Sequence, residues 1–338
     1  MTLVRTLIAS TAIAAAAAFA AGAAVAQEKS FTGGKQMRIV VGSSAGAGFD
    51  AFGRMVGRHL GEHIPGKPSV VVSNMPGAGS LKAVQSLRAQ STDGTYMVLF
   101  NPGIVLGALL TPEKVKVDFA KDVHFIGSAT ADARVCHAWH TTGVKTFQDL
   151  LKRSQFATGH TGTSASTYLD AAILKNVFGA KIKQIVGYPG ATEQRLAVER
   201  GELDGDCGTW ESVPPHWIKE GKSTIFVRIS KVNVPELKGI PHISEFANAE
   251  QRQIIDLVTT HNLIFRPFIV SSGVAMDKVA VLRESFWKTI HSKPFIDESI
   301  KSKRGVIDPM RGEDVAKMVE RLYATPKNLI PKAAAAIK

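Results

Sequence analysis

The sequence comprises 338 residues, 45% of them hydrophobic, so the chain can bury large cores, and its length suggests about two domains. The formal net charge is +12 at pH 7, but the basic residues are spread along the chain and form no run interleaved with aromatic residues. Nucleic acid is therefore disfavoured as a partner, whereas the positive charge suits an anionic small molecule or a membrane surface.

The N-terminus predicts an export signal. Arg5 precedes an apolar, alanine-rich run from Leu7 to Val25, and Ala24-Val25-Ala26 fits the small-x-small pattern of a signal peptidase site. A transmembrane anchor is the alternative, but polar residues follow the run directly. We therefore expect residues 1–26 to be a signal peptide, and no later stretch has the roughly 20 apolar residues of a membrane-spanning helix.

The first part of the remaining chain alternates strands with helices. The predicted elements are, in order, strand 38–41, helix 49–64, strand 69–74, a helix ending at Gln90 and strand 95–100. This alternation predicts a mostly parallel sheet that places ligands at the carboxyl ends of its strands.

The loop between the first strand and helix, within RIVVGSSAGAGFD (38–50), predicts an anion site, because a helix start leaves unpaired N–H groups and a positive dipole end. It also fits two enzyme motifs. Gly42–Gly46 matches the nucleophile elbow of a serine hydrolase with Ser44 as nucleophile, and Gly46–Ala51 matches a dinucleotide fingerprint. No strand precedes the elbow and no acidic residue ends the second strand, so we favour neither enzyme.

The second part of the chain repeats the pattern. Thr146 and Asp149 have the spacing of a helix-capping pair, and a second strand–Gly/Ser–helix unit spans 155–179. Further elements are predicted as strand 182–188, helix 189–202, strand 202–210 and strand 223–230. If the two Gly/Ser units face each other, a ligand can be held between their helix starts, Gly46–Asp50 and Gly162–Ser164.

The two cysteines, Cys136 and Cys207, leave two interpretations open. They can pair in an oxidising compartment, or they can pack separately in the core. We favour separate packing, because a chain of this size needs no disulfide framework. Two cysteines without a CxxC pair form no zinc site, and we expect no metal.

Several segments, in order and spacing, resemble the substrate-binding receptors of tripartite tricarboxylate transporters, the Bordetella-uptake-gene type. The resemblance covers about 38–326, and its most specific parts are Gly46–Arg54, NMPGAGS (74–80), Asp93-Gly94, TFQDLLK (146–152), VGYPG (186–190) and GELDG (201–205). It implies a two-lobed, type II periplasmic binding protein of the α/β class, with a mostly parallel sheet flanked by helices in each lobe. Lobe I would comprise 30–133 plus 263–338, and lobe II 134–262, so the chain would cross the hinge at 134–140 and 262–270.

By the same resemblance, a carboxylate would be bound through backbone amides and ordered waters from both lobes. The first lobe would contribute Ser44, Gly46, Ala47, Asp50, Gly77, Ala78, Gly79 and Asn101. The second lobe would contribute His160, Gly162, Thr163, Ser164, Tyr188, Gly190 and Asp206. Ala47 stands where the family usually has a second glycine, so its methyl group would narrow the approach of a carboxylate oxygen.

Several of these residues have a structural alternative. Asp50 can complement its own helix start, Gly77 and Gly79 can serve turn geometry, His160 can be an ordinary loop histidine and Tyr188 can be half-buried core.

The resemblance implies a periplasmic receptor without catalytic residues or cofactors. The receptor would be a monomer. It would capture a small organic carboxylate, such as a di- or tricarboxylate, and deliver it to two integral-membrane permease subunits. The alternatives are a periplasmic ligand sensor for a membrane kinase and a secreted serine hydrolase using Ser44.

Overall fold

The computed structural model describes residues 30–338, so the predicted signal peptide lies outside the described residues. The strands in this part are β1 (Met37–Val41), β2 (Val70–Asn74), β3 (Tyr96–Leu99), β4 (Val123–Thr130), β5 (Arg134–Trp139), β6 (Phe156–His160), β7 (Ile182–Val186), β8 (Gly205–Thr209), β9 (Ser223–Arg228), β10 (Phe265–Ser271) and β11 (Met310–Arg311). The helices are α1 (Gly48–Leu60), α2 (Leu81–Ser86), α3 (Gly103–Leu110), α4 (Pro112–Val115), α5 (Phe147–Lys152), α6 (Ser166–Asn176), α7 (Ala191–Glu199), α8 (Pro215–Lys219), α9 (Ala249–Thr259), α10 (Met276–His291), α11 (Lys293–Lys301), α12 (Gly312–Tyr323) and α13 (Ile330–Ala336).

Two sheets organise these elements. The first sheet has the order β11-β4-β10-β3-β1-β2, and the second has the order β7-β6-β8-β5-β9. Helices flank both sheets, which confirms the predicted α/β class. The predicted elements, which end with strand 223–230, are present with shifted ends. The elements that were not predicted are α3, α4, β4, β5, α8, α9, β10, β11 and the helices after residue 275.

Helix α1 packs closely on the first sheet because glycines face it. A Cβ atom on Gly53 would lie 2.7 Å from Cγ2 of Val41, and one on Gly57 would lie 2.6 Å from Cγ2 of Val72. Both distances are shorter than side chains tolerate, so the helix can approach the strands only where it lacks side chains. This close packing fixes the start of α1 beside the end of β1.

The sheets are mixed, so the prediction of mostly parallel sheets is wrong. Parallel pairing joins β1 to β2 and β3, and β6 to β7 and β8, while the remaining pairs are antiparallel. The reason is the crossing between sheets: β4 leads out of the first sheet and β10 leads back in, so Thr130 at the end of β4 pairs with Phe265 at the start of β10. The chain leaves the first sheet at the end of β4 and returns to it at the start of β10 on the same side. These two neighbouring strands therefore run in opposite directions.

A buried ion cluster lies at the outward crossing. Arg134, the first residue of β5, donates from Nη1 to Asp132 (2.7 Å) and from Nε to Asp170 on α6. All three side chains are almost fully buried. The backbone N–H of Asp132 also donates to the carbonyl of Asn262 in the returning segment (2.9 Å), which ties the two crossings together.

The C-terminal helix α13 joins the two halves of the chain on the side of α3. It packs against α3, α6 and α9. The Nδ2 group of Asn176, at the end of α6, donates to the carbonyls of Ala336 (3.0 Å) and Lys338 (2.8 Å). The chain end is thus attached to helices that lie between β5 and β10 in sequence.

The helix start at α5 shows the predicted capping pair. The Asp149 N–H donates to Oγ1 of Thr146 (3.1 Å), and the Thr146 N–H donates to the Asp149 carboxylate (3.0 Å). Two helix-start N–H groups are satisfied reciprocally in this way.

The cysteines form a disulfide, so the favoured interpretation of separate packing is wrong. Cys136 on β5 and Cys207 on β8 are directly opposite in the antiparallel register, and both are buried. Sequence spacing did not reveal this pairing because it depends on which strands are neighbours.

We expect the disulfide to stabilise the fold. Replacing both cysteines by alanine should lower the free energy of unfolding by about 2–5 kcal/mol, because the bond links positions 71 residues apart and restricts the unfolded chain. Urea unfolding with and without dithiothreitol measures this: reductant should destabilise the wild type and leave the double variant unchanged. Equal sensitivity of both proteins would contradict the prediction.

Candidate functional site

A cavity of about 70 Å³ lies between the two sheets, where the carboxyl ends of β1, β3, β6 and β8 approach one another. We call it the inter-sheet cavity. Its lining residues are Gly42, Ser43, Ala47, Gly48, Phe49, Ser80, Asn101, Arg134, Thr161, Thr167, Gly190, Ala191, Gln194, Asp206, Gly208, Thr209, Ser212, Phe265 and Arg266. Both sheets therefore contribute to one enclosed space.

Two helix starts face this cavity. Ala47 and Gly190 occupy the positions that precede α1 and α7, and in the described part of the chain neither residue caps its helix start through a side chain. A Cβ atom on Gly190 would lie 3.1 Å from Cβ of Ala47, so the two starts approach closely. Their first N–H groups and the positive ends of both helix dipoles favour an anion in the space between them.

The predicted partner of the first loop differs from the observed one. We expected the 162–164 loop before α6 to face α1. Instead, the first N–H of α6, on Ser166, donates to Oδ1 of Asn101 (3.0 Å), which also accepts from the Ser166 hydroxyl (2.8 Å). Asn101 thus closes the start of α6, and the start of α7 lies opposite α1.

Loops of the two sheets contact each other directly around the cavity. The Ser44 N–H donates to the Pro189 carbonyl (3.2 Å), and the Ser44 hydroxyl donates to Glu193 (3.0 Å). The Gly79 N–H donates to the Thr161 carbonyl (3.0 Å). These bonds hold the two halves together over the cavity.

The loop 77–80 requires unusual backbone geometry. Gly77, Ala78, Gly79 and Ser80 all have positive φ angles, of 139°, 47°, 63° and 80°. Such conformations are costly for alanine and serine and persist only when the surroundings hold them. The Ser80 hydroxyl does this by donating to the Gly42 carbonyl (2.8 Å) and accepting the Asn101 N–H (3.1 Å).

Asp50 is oriented away from the cavity and organises the first loop. Its buried carboxylate accepts the Gly46 N–H (2.8 Å), Nε of Arg54 (3.0 Å) and Nδ2 of Asn74 (2.8 Å). Burial opposes its ionisation, but these three donors hold the pKa of Asp50 below its usual range. Gly46 adopts φ 78°, which glycine tolerates best, so the loop is built around this carboxylate.

Four predicted residues of the second part lie apart from the cavity or behind its wall. His160 is fully buried between Thr158 (2.9 Å) and Thr167 (3.2 Å), and burial together with Arg134 lowers its pKa to about 3, so it carries no charge at neutral pH. Tyr188 packs over Gly159. Ser164 and its exposed neighbour Thr163 line a separate pocket near the C-terminus.

Gly162 has a different part in the arrangement. A Cβ atom on this residue would lie 2.5 Å from the Gly79 nitrogen and 2.6 Å from the carbonyl carbon of Ala78. The absence of a side chain therefore allows the two loops to touch.

Arg266 is a charged lining residue that the sequence analysis missed. It is 1% exposed, and its Nη2 donates to Glu211 (2.9 Å), but its Nε and Nη1 have no hydrogen-bond partner among residues 30–338. Its guanidinium lies 4.5 Å from the centre of the Phe52 ring, and its backbone has φ 57°. A single charged residue within the apolar run 262–270 was the signal available in the sequence.

Asp206 is the predicted acidic residue that does line the cavity. Its Oδ1 accepts the Cys207 N–H (2.8 Å). Burial raises the pKa of Asp206 to about 7, although Arg134 and this hydrogen bond favour the ionised form. The cavity therefore combines a permanent cation, Arg266, with a carboxyl group that is only partly ionised near neutral pH.

Of the predicted site residues, four line the inter-sheet cavity: Ala47, Asn101, Gly190 and Asp206. The sequence analysis missed Thr161, Thr167, Gln194, Thr209, Ser212, Phe265 and both arginines among the lining residues. Within residues 30–338, no cluster of three metal-ligating side chains occurs, and no helix is long and apolar enough to cross a membrane.

Comparison with known proteins gives one curated relative and many similar structures. No family model matches the sequence. The "UPF0065 protein in the TAR-I ttuE-ttuC' intergenic region" of Agrobacterium vitis is 24% identical over 226 residues, which are 65% of this chain and 64% of that protein. The chain thus matches less than two thirds of the length of this relative.

Three solved structures illustrate the likeness in fold. BugD, a periplasmic binding protein, has a TM-score of 0.71 at 17% identity, covering 88% of this chain and 97% of its own. MatC from Rhodopseudomonas palustris with bound malate has a TM-score of 0.70 at 15% identity, covering 87% and 98%. An R. palustris protein with adipate has a TM-score of 0.70 at 17% identity, covering 88% and 97%.

These similarities establish the fold of the Bug-type periplasmic binding proteins. The resemblance predicted from the sequence is confirmed in this respect. Other similar structures include a periplasmic transporter and a TctC solute-binding protein from Polaromonas.

The raised pKa of Asp206 predicts a pH-dependent stability. In the unfolded chain this carboxyl ionises near 3.8, but in the folded protein it keeps its proton up to about pH 7. Burial of Asp206 therefore lowers the free energy of unfolding. This loss grows as pH rises from 4 to 7 and stays constant above pH 7. Asp206→Asn should accordingly gain stability relative to the wild type between pH 4.5 and pH 7.5, as measured by urea unfolding. A difference independent of pH would contradict this.

Proposed function

We propose that the chain is a periplasmic solute-binding receptor of the Bug type that captures a small organic carboxylate in the inter-sheet cavity. The observation that carries the proposal is the convergence of two uncapped helix starts, α1 and α7, on an enclosed cavity that also contains Arg266. Helix starts and a buried guanidinium both favour a carboxylate. The malate and adipate bound in two similar structures are consistent with this ligand class.

In this proposal the two lobes are 30–133 plus 263–338 and 134–262. The first sheet takes its strands from 37–130 and 265–311, and the second from 134–228, which supports the division. Ligand binding would draw the lobes together through the Ser44, Gly79 and Asn101 contacts. The receptor would be exported by means of the predicted signal peptide. As a monomeric protein, it would deliver its ligand to two membrane permease subunits. Loss of uptake on deletion of the gene tests that delivery.

The contacts of Ser44 and His160 favour binding over hydrolysis. A serine nucleophile needs an adjacent base, usually histidine. The Ser44 hydroxyl donates to Glu193 instead, and both ring nitrogens of His160 contact threonine hydroxyls. We therefore expect the wild-type protein to show no ester hydrolysis. Ser44→Ala should then leave the measured hydrolysis rate unchanged.

Thermal unfolding in the presence of organic acids tests the ligand class. The mature protein should be screened against dicarboxylates, tricarboxylates, aromatic acids and amino acids. A ligand at one hundred times its dissociation constant should add about 2.7 kcal/mol to the free energy of unfolding. Arg266→Gln should weaken binding of the best acid by about 30-fold or more, because a buried charged partner of the carboxylate is lost.

Arg304→Gln is a matched control for this variant. Arg304 is a half-buried arginine near Arg266 that does not line the cavity, so its replacement should change affinity little. Arg266→Lys keeps the charge and should retain part of the binding if charge is what matters. Stabilisation by no organic acid, or equal affinity of Arg266→Gln and wild type, would contradict the proposal.

Closure over the ligand predicts a specific effect at Gly162. Because a Cβ atom there would collide with the backbone of Gly79 and Ala78, Gly162→Ala should disfavour the closed arrangement. We expect about tenfold weaker binding of the best acid, measured by calorimetry, since apparent affinity falls with the population of the closed state. Thr163→Ala, at the exposed neighbouring position, serves as control and should bind like the wild type. Unchanged affinity in Gly162→Ala would argue against closure through these loops.

A further inference from the structure

A second, larger cavity of about 580 Å³ adjoins the inter-sheet cavity. We call it the chamber. Its walls come mainly from segment 131–133 just before β5, from 209–219 and from 303–307. Most of the wall is apolar and includes Trp210, Val213, Ile218, Val234, Phe265 and Ile307.

The two spaces have lining residues in common. Thr209 and Phe265 line both of them. The ion pair between Arg266, which lines the inter-sheet cavity, and Glu211, which lines the chamber, belongs to the same boundary (2.9 Å). Glu211 also accepts the Gly305 N–H (2.9 Å), so its carboxylate is held from the chamber side.

The sizes of the two spaces differ in a way that matters for the ligand. Pockets that enclose a whole ligand usually measure about 300–1,000 Å³. At about 70 Å³, the inter-sheet cavity has room for a carboxylate group and the one or two carbon atoms next to it. At about 580 Å³, the chamber has room for the rest of a larger molecule.

The charges around the chamber do not match a second carboxylate. Three acidic residues line it, Asp132, Glu211 and Glu236, against two basic ones, Lys219 and Lys303. Both lysines are exposed, whereas the buried part of the wall is apolar apart from Thr209 and Asp132, whose carboxylate is already paired with Arg134. Burying an ionised group against such a wall without a partner is costly.

We propose that the natural ligand is an organic acid with one carboxylate in the inter-sheet cavity and an uncharged, apolar body in the chamber. This narrows the di- or tricarboxylate class that the sequence resemblance implies, and it rests on the proposed function. The apolar body passes Thr209 and Phe265 and contacts the aromatic and aliphatic side chains beyond them. Shape and apolar area in the chamber then determine which acid is bound.

A matched pair of acids tests the proposal directly. Hexanoate and adipate have the same carbon chain, but adipate carries a second carboxylate. Calorimetry with the mature protein should show hexanoate binding at least tenfold more tightly than adipate. From butyrate to octanoate, affinity should rise by up to about fourfold for each methylene that is buried.

Gly305 offers a variant pair that fills the chamber. A Cβ atom there would be 3.7 Å from the Glu211 carboxylate and 3.8 Å from Ile307, so it would enter without collision. Gly305→Leu should lower octanoate affinity at least tenfold and leave butyrate within twofold, while Gly305→Ala should resemble the wild type. Ile218→Trp fills the same space from the other wall and should give the same pattern if Gly305→Leu fails to fold.

The outcomes are distinguishable. Tighter binding of adipate than of hexanoate, or an equal loss of butyrate and octanoate affinity in Gly305→Leu, would overturn the apolar-body proposal while leaving a carboxylate receptor intact. Binding of no acid at all would overturn the proposed function and this inference with it.

Discussion

The buried pairing of Arg134 with Asp132 and Asp170 is the interaction on which the rest of the arrangement depends. Removing these charges from water costs several kcal/mol per ion, so they can be buried only together. Burial raises the pKa of Asp170 to about 6 even beside the guanidinium of Arg134. The pairing therefore has to offset a large cost of removing the carboxylate from water. Because the partners lie in the crossing segment, on β5 and on α6, satisfying Arg134 fixes where the chain passes between sheets. Thr209 at the end of β8 joins the cluster through Asp132 (3.1 Å).

From that crossing follows the geometry of the proposed binding site. Both sheets direct the carboxyl ends of strands toward one boundary, and residues without side chains allow the loops there to meet. Gly162 lies against Gly79, and Gly190 lies against Ser44 and Ala47. The methyl group of Ala47, where the family usually has glycine, therefore lies at a position where the two halves nearly touch. The helix starts of α1 and α7 are left open toward the cavity because no side chain caps them.

Charge and volume have separate roles in the proposed recognition. Arg266 supplies a buried cation next to the helix starts, and Asp206 supplies a carboxyl group whose ionisation is suppressed by burial. The inter-sheet cavity is small and is lined by charged and hydroxyl-bearing side chains as well as apolar ones, whereas the chamber is large and mainly apolar. A receptor built in this way would fix one end of an acid by electrostatics and select the other end by apolar contact.

The sequence alone determined the α/β class, most element positions in the first two thirds of the chain, the capping pair at Thr146 and the resemblance to Bug-type receptors. These features depend on local periodicity and on short motifs, which a sequence displays directly. Only the tertiary structure decided that the sheets are mixed, that Cys136 pairs with Cys207, that α7 rather than the 162–164 loop lies opposite α1, and that Arg266 lines the cavity. Each of these depends on which distant segments become neighbours, and that is set by the crossing between sheets and by the buried ions that hold it.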